Sequence, residues 1–230
     1  MVSIIQRTEE KMNNQYAPKV LNNIVDALKK EKIEISEAVE GEGRGGSLHD
    51  EGTIKRFLQS HPKFKKHVFD VPARGFGDML VLDYDMKTYH VVNIKTSVGS
   101  SDNATSKIGF LYAFTDMEYN ELPRAMNWKK FYKLIKERQA DTQKDYWFLC
   151  VDKNNSSNVM VRGAKQIVNY GENANPGNLL QINWAKEKTC LPANRTYDEA
   201  YEVIINGIAR CFKKAFQNLP NDWKEIVLND

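Results

Sequence analysis

Residues Gly77 to Ser97 read GDMLVLDYDMKTYHVVNIKTS. Two short apolar runs, MLVL and HVVNI, flank Asp85-Met86-Lys87-Thr88, which has the composition of a turn. Runs of Val, Leu and Ile bounded by turn residues predict a β-hairpin with buried strands. Into that hairpin the chain places three polar side chains: Asp78, Asn93 and Lys95. Successive strand residues point to opposite faces, so Asn93 and Lys95 share a face and Ile94 takes the other. Asp78 opens the first strand, where antiparallel pairing carries it beside them. An acid, an amide oxygen and a lysine are therefore expected together at one sheet edge.

That set suits metal-assisted phosphodiester hydrolysis. Mg2+ takes oxygen ligands and keeps positions for water and phosphate. A lysine alongside can hold the attacking water and offset charge on the reacting phosphate. Elsewhere the same residues would be ordinary, since an Asp at a strand start and a Lys at a strand end occur in many α/β proteins.

Composition sets outer bounds. At 230 residues the chain fits one domain, 1–230, with a core that needs no disulfides. No apolar run is long enough to span a bilayer, and the first residues lack a signal peptide's apolar core, so a cytoplasmic protein with no membrane partner is expected. Three widely spaced cysteines (Cys150, Cys190 and Cys211) and four scattered histidines give no zinc-type pairing. A net charge of +3 permits nucleic-acid binding without announcing it. Its basic runs are Lys63, Lys65, Lys66 and His67, then Lys129, Lys130, Lys133, Lys136 and Arg138.

Along the chain, residues 14–31 carry Val20, Leu21, Ile24, Val25 and Leu28 at helical spacing, predicting an amphipathic helix for core packing or dimer contact. Residues 41–46, GEGRGG, read as a loop, or as an arm with Arg44 at its tip against a DNA groove. A helix is expected from His49, with His49 and Asp50 at its cap and Glu51 in its first turn. Lys66–Val71 reads as a strand, and the segment KIGFLYAF at 107–114 fits either a strand or a short buried helix. Trp128–Arg138 predicts a helix, while Tyr146–Val151 and Asn158–Arg162 predict a strand hairpin. Between Gln166 and Asn183 stand seven amides in eighteen residues, with one charged side chain, Glu172. Asn and Gln read adenine bidentately, so residues 170–183 become a candidate base-reading loop, with Asn173, Asn175, Asn178 and Gln181 its candidate contacts. Thr196–Asn218 is a long helix whose Thr196 and Glu199 form a capping box. The fold class is α/β (mixed α+β): a central mixed sheet flanked by helices.

Asp78, the fifteen-residue spacing to Asn93, and Asn93-Ile94-Lys95 resemble the PD-(D/E)xK nuclease motif. Gly77 stands at the motif's usual Pro, and Asn93 at its second acid. With Thr96, the Ser/Asn-rich stretch behind it, KIGFLYAF and the Asn175–Trp184 segment, the order of features resembles the EcoRV/HincII-like, blunt-cutting branch of type II restriction endonucleases. The resemblance implies a restriction-endonuclease-like core and a bacterial, cytoplasmic homodimer that cuts double-stranded DNA at a palindromic site using Mg2+. It implies Asp78, Asn93 and Glu51 as metal-site residues, Lys95 as the catalytic lysine, and Ser97 as a DNA contact beside the Arg44 arm read from the glycine-rich loop. The amide-rich loop points to an A·T-rich site. With Asn93 at the second acid, the resemblance implies that the chain is an inactivated Asp→Asn form, engineered or natural. Two further classes share these residues: a repair or recombination nuclease that reads DNA structure, and a non-catalytic DNA-binding module.

Overall fold

The hairpin forms as the alternation of residues 77–97 predicts. In a computed structural model that describes residues 17–35, 45–72, 75–97, 103–104, 106–173 and 180–224, β2 (Met79–Leu82) pairs antiparallel with β3 (Tyr89–Ser97), Met79 opposite Val92. The Asp85 carboxylate closes the turn by accepting the N–H groups of Lys87 and Thr88 and the Thr88 hydroxyl. Side-chain bonding of this kind is why Asp favours turns. On the outer side β1 (Val68–Asp70), shorter than the 66–71 expected, pairs antiparallel with β2.

On its other side β3 runs parallel to β5 (Tyr146–Asp152), with Asn93 level with Phe148 and Lys95 with Cys150. β5 returns antiparallel as β6 (Asn155–Gly163), giving a mixed sheet of order β1-β2-β3-β5-β6. A parallel pair needs a long crossover. Here it contains α3 (Lys107–Phe114) and α4 (Trp128–Glu137).

KIGFLYAF is thus a helix, capped by Ser106, whose hydroxyl accepts the Gly109 N–H. Its residues from Gly109 to Phe114 are all buried. A segment buried all round shows neither the helical nor the strand period, so its spacing could not choose between them.

Alternation along the strands sorts the core into two clusters. Val92, Ile94, Trp147, Leu149 and Val151 pack beneath α1 (Lys19–Glu31) and α2 (Gly45–Ser60). Val91, Tyr146, Phe148 and Cys150 face α3, α4 and α6 (Tyr197–Gln217). The apolar stripe of α1, from Val20 to Leu28, is spent in the core. Residues 14–16 of the helix expected there lie outside the described residues. α6 begins with the expected capping box between Thr196 and Glu199.

α2 corrects one expectation. It begins at Gly45 rather than His49, so Asp50 lies inside the helix instead of capping it. Glycine costs a helix only about 1 kcal/mol per residue relative to alanine. Asp50 is fully buried and ion-paired with Lys153, a tertiary partner that no local pattern reveals.

A second, small sheet joins β4 (Asn103–Ala104), β8 (Gln181–Ile182) and β7 (Tyr170–Gly171). After β8 comes α5 (Trp184–Glu187), where the buried Glu187 carboxylate is 3.6 Å from the Arg162 guanidinium and accepts the backbone N–H groups of Val168 and Asn169. Both ends of the amide-rich segment are therefore tied to the core. Among the described residues no helix is long and apolar enough to cross a membrane.

The seat of α3 on the sheet depends on Gly109. A Cβ there would lie 2.5 Å from the Tyr146 ring, which is itself buried. Gly109→Ala should cost about 1–3 kcal/mol, as overpacking does. The check is urea denaturation, where the midpoint falls and the slope is unchanged.

Candidate active site

The site is built where β2 starts and β3 ends. Gly77 introduces it with φ +82, a left-handed conformation closed to proline, whose ring fixes φ near −65°. A Cβ at Gly77 would also lie 2.8 Å from Val91 Cγ1. A proline could not take this place.

The next residue, Asp78, donates its N–H to Val92 O at 2.9 Å. Its Oδ2 accepts the Ile94 N–H at 2.6 Å. These two bonds hold the carboxylate against the stretch of β3 that carries Asn93 and Lys95. Burial keeps the Asp78 carboxyl above the usual range, against the opposing pull of the Ile94 N–H, Lys95 and Lys55.

Glu51 comes to the same place from α2. Its carboxyl is pushed up to about 7, chiefly by burial and next by the Asp78 charge, with Lys95 opposing. The Asp78 charge thus adds to burial in disfavouring the ionised form of Glu51.

Asn93 supplies the third oxygen. Its Oδ1 is buried and accepts no hydrogen bond, and its side chain hydrogen-bonds the Tyr146 hydroxyl. An unpaired buried carbonyl oxygen costs free energy, and a cation ligated there relieves that cost. Tyr146 is a site neighbour the sequence reading missed. Burial first, then the Asp78 charge, hold its hydroxyl protonated well above the ordinary range. Nothing local marks it, because only the parallel pairing of β3 with β5 brings it beside Asn93.

Glu51, Asp78, Asn93 and Lys95 are thus brought together. Among the described residues no three His, Cys, Asp or Glu side chains are grouped to hold a metal ion. The candidate donors are two carboxylates and one amide oxygen. Three hard oxygens fit Mg2+ or Mn2+ in kind. Raised carboxyl pKa values and an unpaired Oδ1 mark a place short of positive charge.

The candidate DNA contacts divide. Arg44, Asn175 and Asn178 lie outside the described residues. Ser97 is buried at the end of β3, its backbone oxygen accepting the Lys153 N–H. Asn173 is half-buried and its N–H reaches Cys211 Sγ at 3.3 Å. Gln181 is half-buried in β8, opposite Gly171 and Ala104. Ser97 follows Lys95 by two residues on the same face of β3, whereas Asn173 and Gln181 belong to the segment around the small sheet.

No family profile, curated protein or solved structure matches this chain.

The raised Glu51 pKa makes stability depend on pH. The folded state binds the proton more tightly than the unfolded chain, whose carboxyl titrates near 4.5. The resulting stabilisation is complete below pH 4.5 and is lost as pH rises through about 7. In metal-free buffer, Glu51→Gln should match the parent near about pH 4 and exceed it in denaturant midpoint at about pH 8. Parallel midpoints across that range would contradict the placement of Glu51.

Proposed function

We propose that this chain is a Mg2+-dependent endonuclease of double-stranded DNA, of the type II restriction kind, acting as a homodimer on a palindromic site. The observation that carries the reading is the meeting of Glu51, Asp78, the unpaired Asn93 oxygen and Lys95 where β2 begins and β3 ends. Two partly buried acids of raised pKa beside a lysine are poor structural choices, because each remains costly without a cation. They are good choices for a site that binds a divalent ion together with a phosphodiester.

Each residue then has a part. Asp78, its carboxylate held by the Ile94 N–H, would ligate the cation. Glu51 would offer its carboxylate from α2, where a bound cation would favour the ionised form. Asn93 Oδ1 offers a neutral oxygen. When bound, Mg2+ supplies charge that lowers the pKa of water and offsets charge on the phosphate. The Lys95 ammonium shares their face of β3, where it orients the attacking water and neutralises phosphate oxygens. Asn93 gives the site one negative charge fewer than an aspartate would, so this form holds its cation weakly and cuts slowly.

Site recognition falls to the segment between β7 and β8, whose ends are fixed by β4 and by Glu187. Its amides suit A·T-rich sequence. Two-fold symmetry of the protein matches two-fold symmetry of the site.

A digest tests this. Asn93→Asp with Mg2+ on A·T-rich plasmid DNA should give discrete fragments at a rate at least about a hundredfold above the parent, several kcal/mol of transition-state stabilisation being typical of such charge effects. Blunt, symmetric ends are expected. A smear would favour a nuclease that reads DNA structure. Uncut DNA from both forms, with binding retained, would favour a non-catalytic module.

A further inference from the structure

Lys153 opens the turn between β5 and β6. Its backbone N–H donates to Ser97 O at 2.9 Å, which fastens the turn to the last residue of β3. Its side chain reaches in another direction, and the ammonium lies 2.7 Å from Asp50 Oδ2. Side-chain exposure is 9% for Lys153 and 0% for Asp50, so the pair is out of solvent. Asp50 immediately precedes Glu51 on α2. One residue thereby joins the strand that carries Asn93 and Lys95 to the helix that carries Glu51.

α2 has other anchors, but they lie farther along. Among its described side chains, the buried apolar contacts of α2 with the sheet are Ile54 and Leu58, three and seven residues beyond Glu51. Those contacts hold the helix from Ile54 onward, and the Asp50–Lys153 pair adds a buried polar contact immediately beside Glu51. A buried ion pair is a weak source of net stability, because desolvating two charges offsets most of their attraction. What it does supply is a single geometry at short range. The Asp50–Lys153 pair sits one residue from a proposed metal ligand, where a displacement of an ångström decides whether that ligand reaches its ion.

The geometry points to Lys153 as a positioning residue for the divalent-cation site: through Asp50 it holds Glu51 at the end of β3. This rests on the cation-binding reading above. It assigns Lys153 no contact with the metal, the water or the phosphate.

Charge alone makes the opposite prediction. Lys153 is a cation near the acids, so removing its charge should tighten divalent binding by simple electrostatics. If the ion pair serves only to keep the fold, its loss should lower the melting temperature and leave affinity unchanged. Positioning alone predicts weaker binding.

The test is Mn2+ titration calorimetry on the whole chain, with Asp78→Asn as the control that locates binding at this site. Lys153→Met should weaken Mn2+ binding by about tenfold or more, the usual effect of removing a residue that orients a ligand. Lys153→Arg, which keeps the charge and the reach, should stay within a few-fold of the parent. Should Lys153→Met fail to fold, Asp50→Asn combined with Lys153→Met leaves no lone buried charge and should show the same weakening. Equal or tighter Mn2+ binding by the folded variants overturns the positioning role and leaves the cation site standing. A parent that shows no binding sensitive to Asp78→Asn overturns both.

Discussion

The 2.6 Å hydrogen bond from the Ile94 N–H to Asp78 Oδ2 is the contact on which the site depends. It holds the first acid on the strand that carries Asn93 and Lys95, and its donor is a backbone group fixed by the sheet, so only the Asp78 side chain has torsions to lock. The register of β2 against β3 makes it possible. A slip of one residue would send Asn93 and Lys95 to the face beneath α1 and α2 and leave Asp78 beside apolar side chains. Gly77 protects that register, since its positive φ and the closeness of Val91 admit no larger residue without strain.

Much of this was legible in the sequence because its cause is local. The 79–97 hairpin follows from two apolar runs around a turn. The buried β5 strand and the capped α6 helix follow from composition and from Thr196 with Glu199. The grouping of Asp78, Asn93 and Lys95 required only strand alternation and one antiparallel pairing. Glu51 was named from the resemblance, and the cap that set it above Asp50 does not form, since the helix starts four residues earlier than its acids suggested.

What stayed hidden depends on partners distant in sequence. Asp50 looked like a cap and is half of a buried ion pair with Lys153. Tyr146 looked like one more core aromatic, yet the parallel pairing of β3 with β5 sets its hydroxyl beside Asn93. The KIGFLYAF helix has no periodicity because both its sides are buried. Gly77 read as a departure from a motif, and only its backbone angle shows that a proline could not take its place.

The electrostatics of the site are unusual for a scaffold. Glu51 and Asp78 lie near each other with Lys95 alongside, and their carboxyl groups remain raised. Beside them, Asn93 Oδ1 has no donor. Crystals soaked in Mn2+ and examined by anomalous diffraction ask directly whether a cation answers this arrangement. The account predicts an anomalous peak bounded by Glu51, Asp78 and Asn93, absent from crystals of Asp78→Asn. A structure whose Mn2+ peaks all lie elsewhere, with the Glu51 and Asp78 carboxylates unmoved, would contradict it.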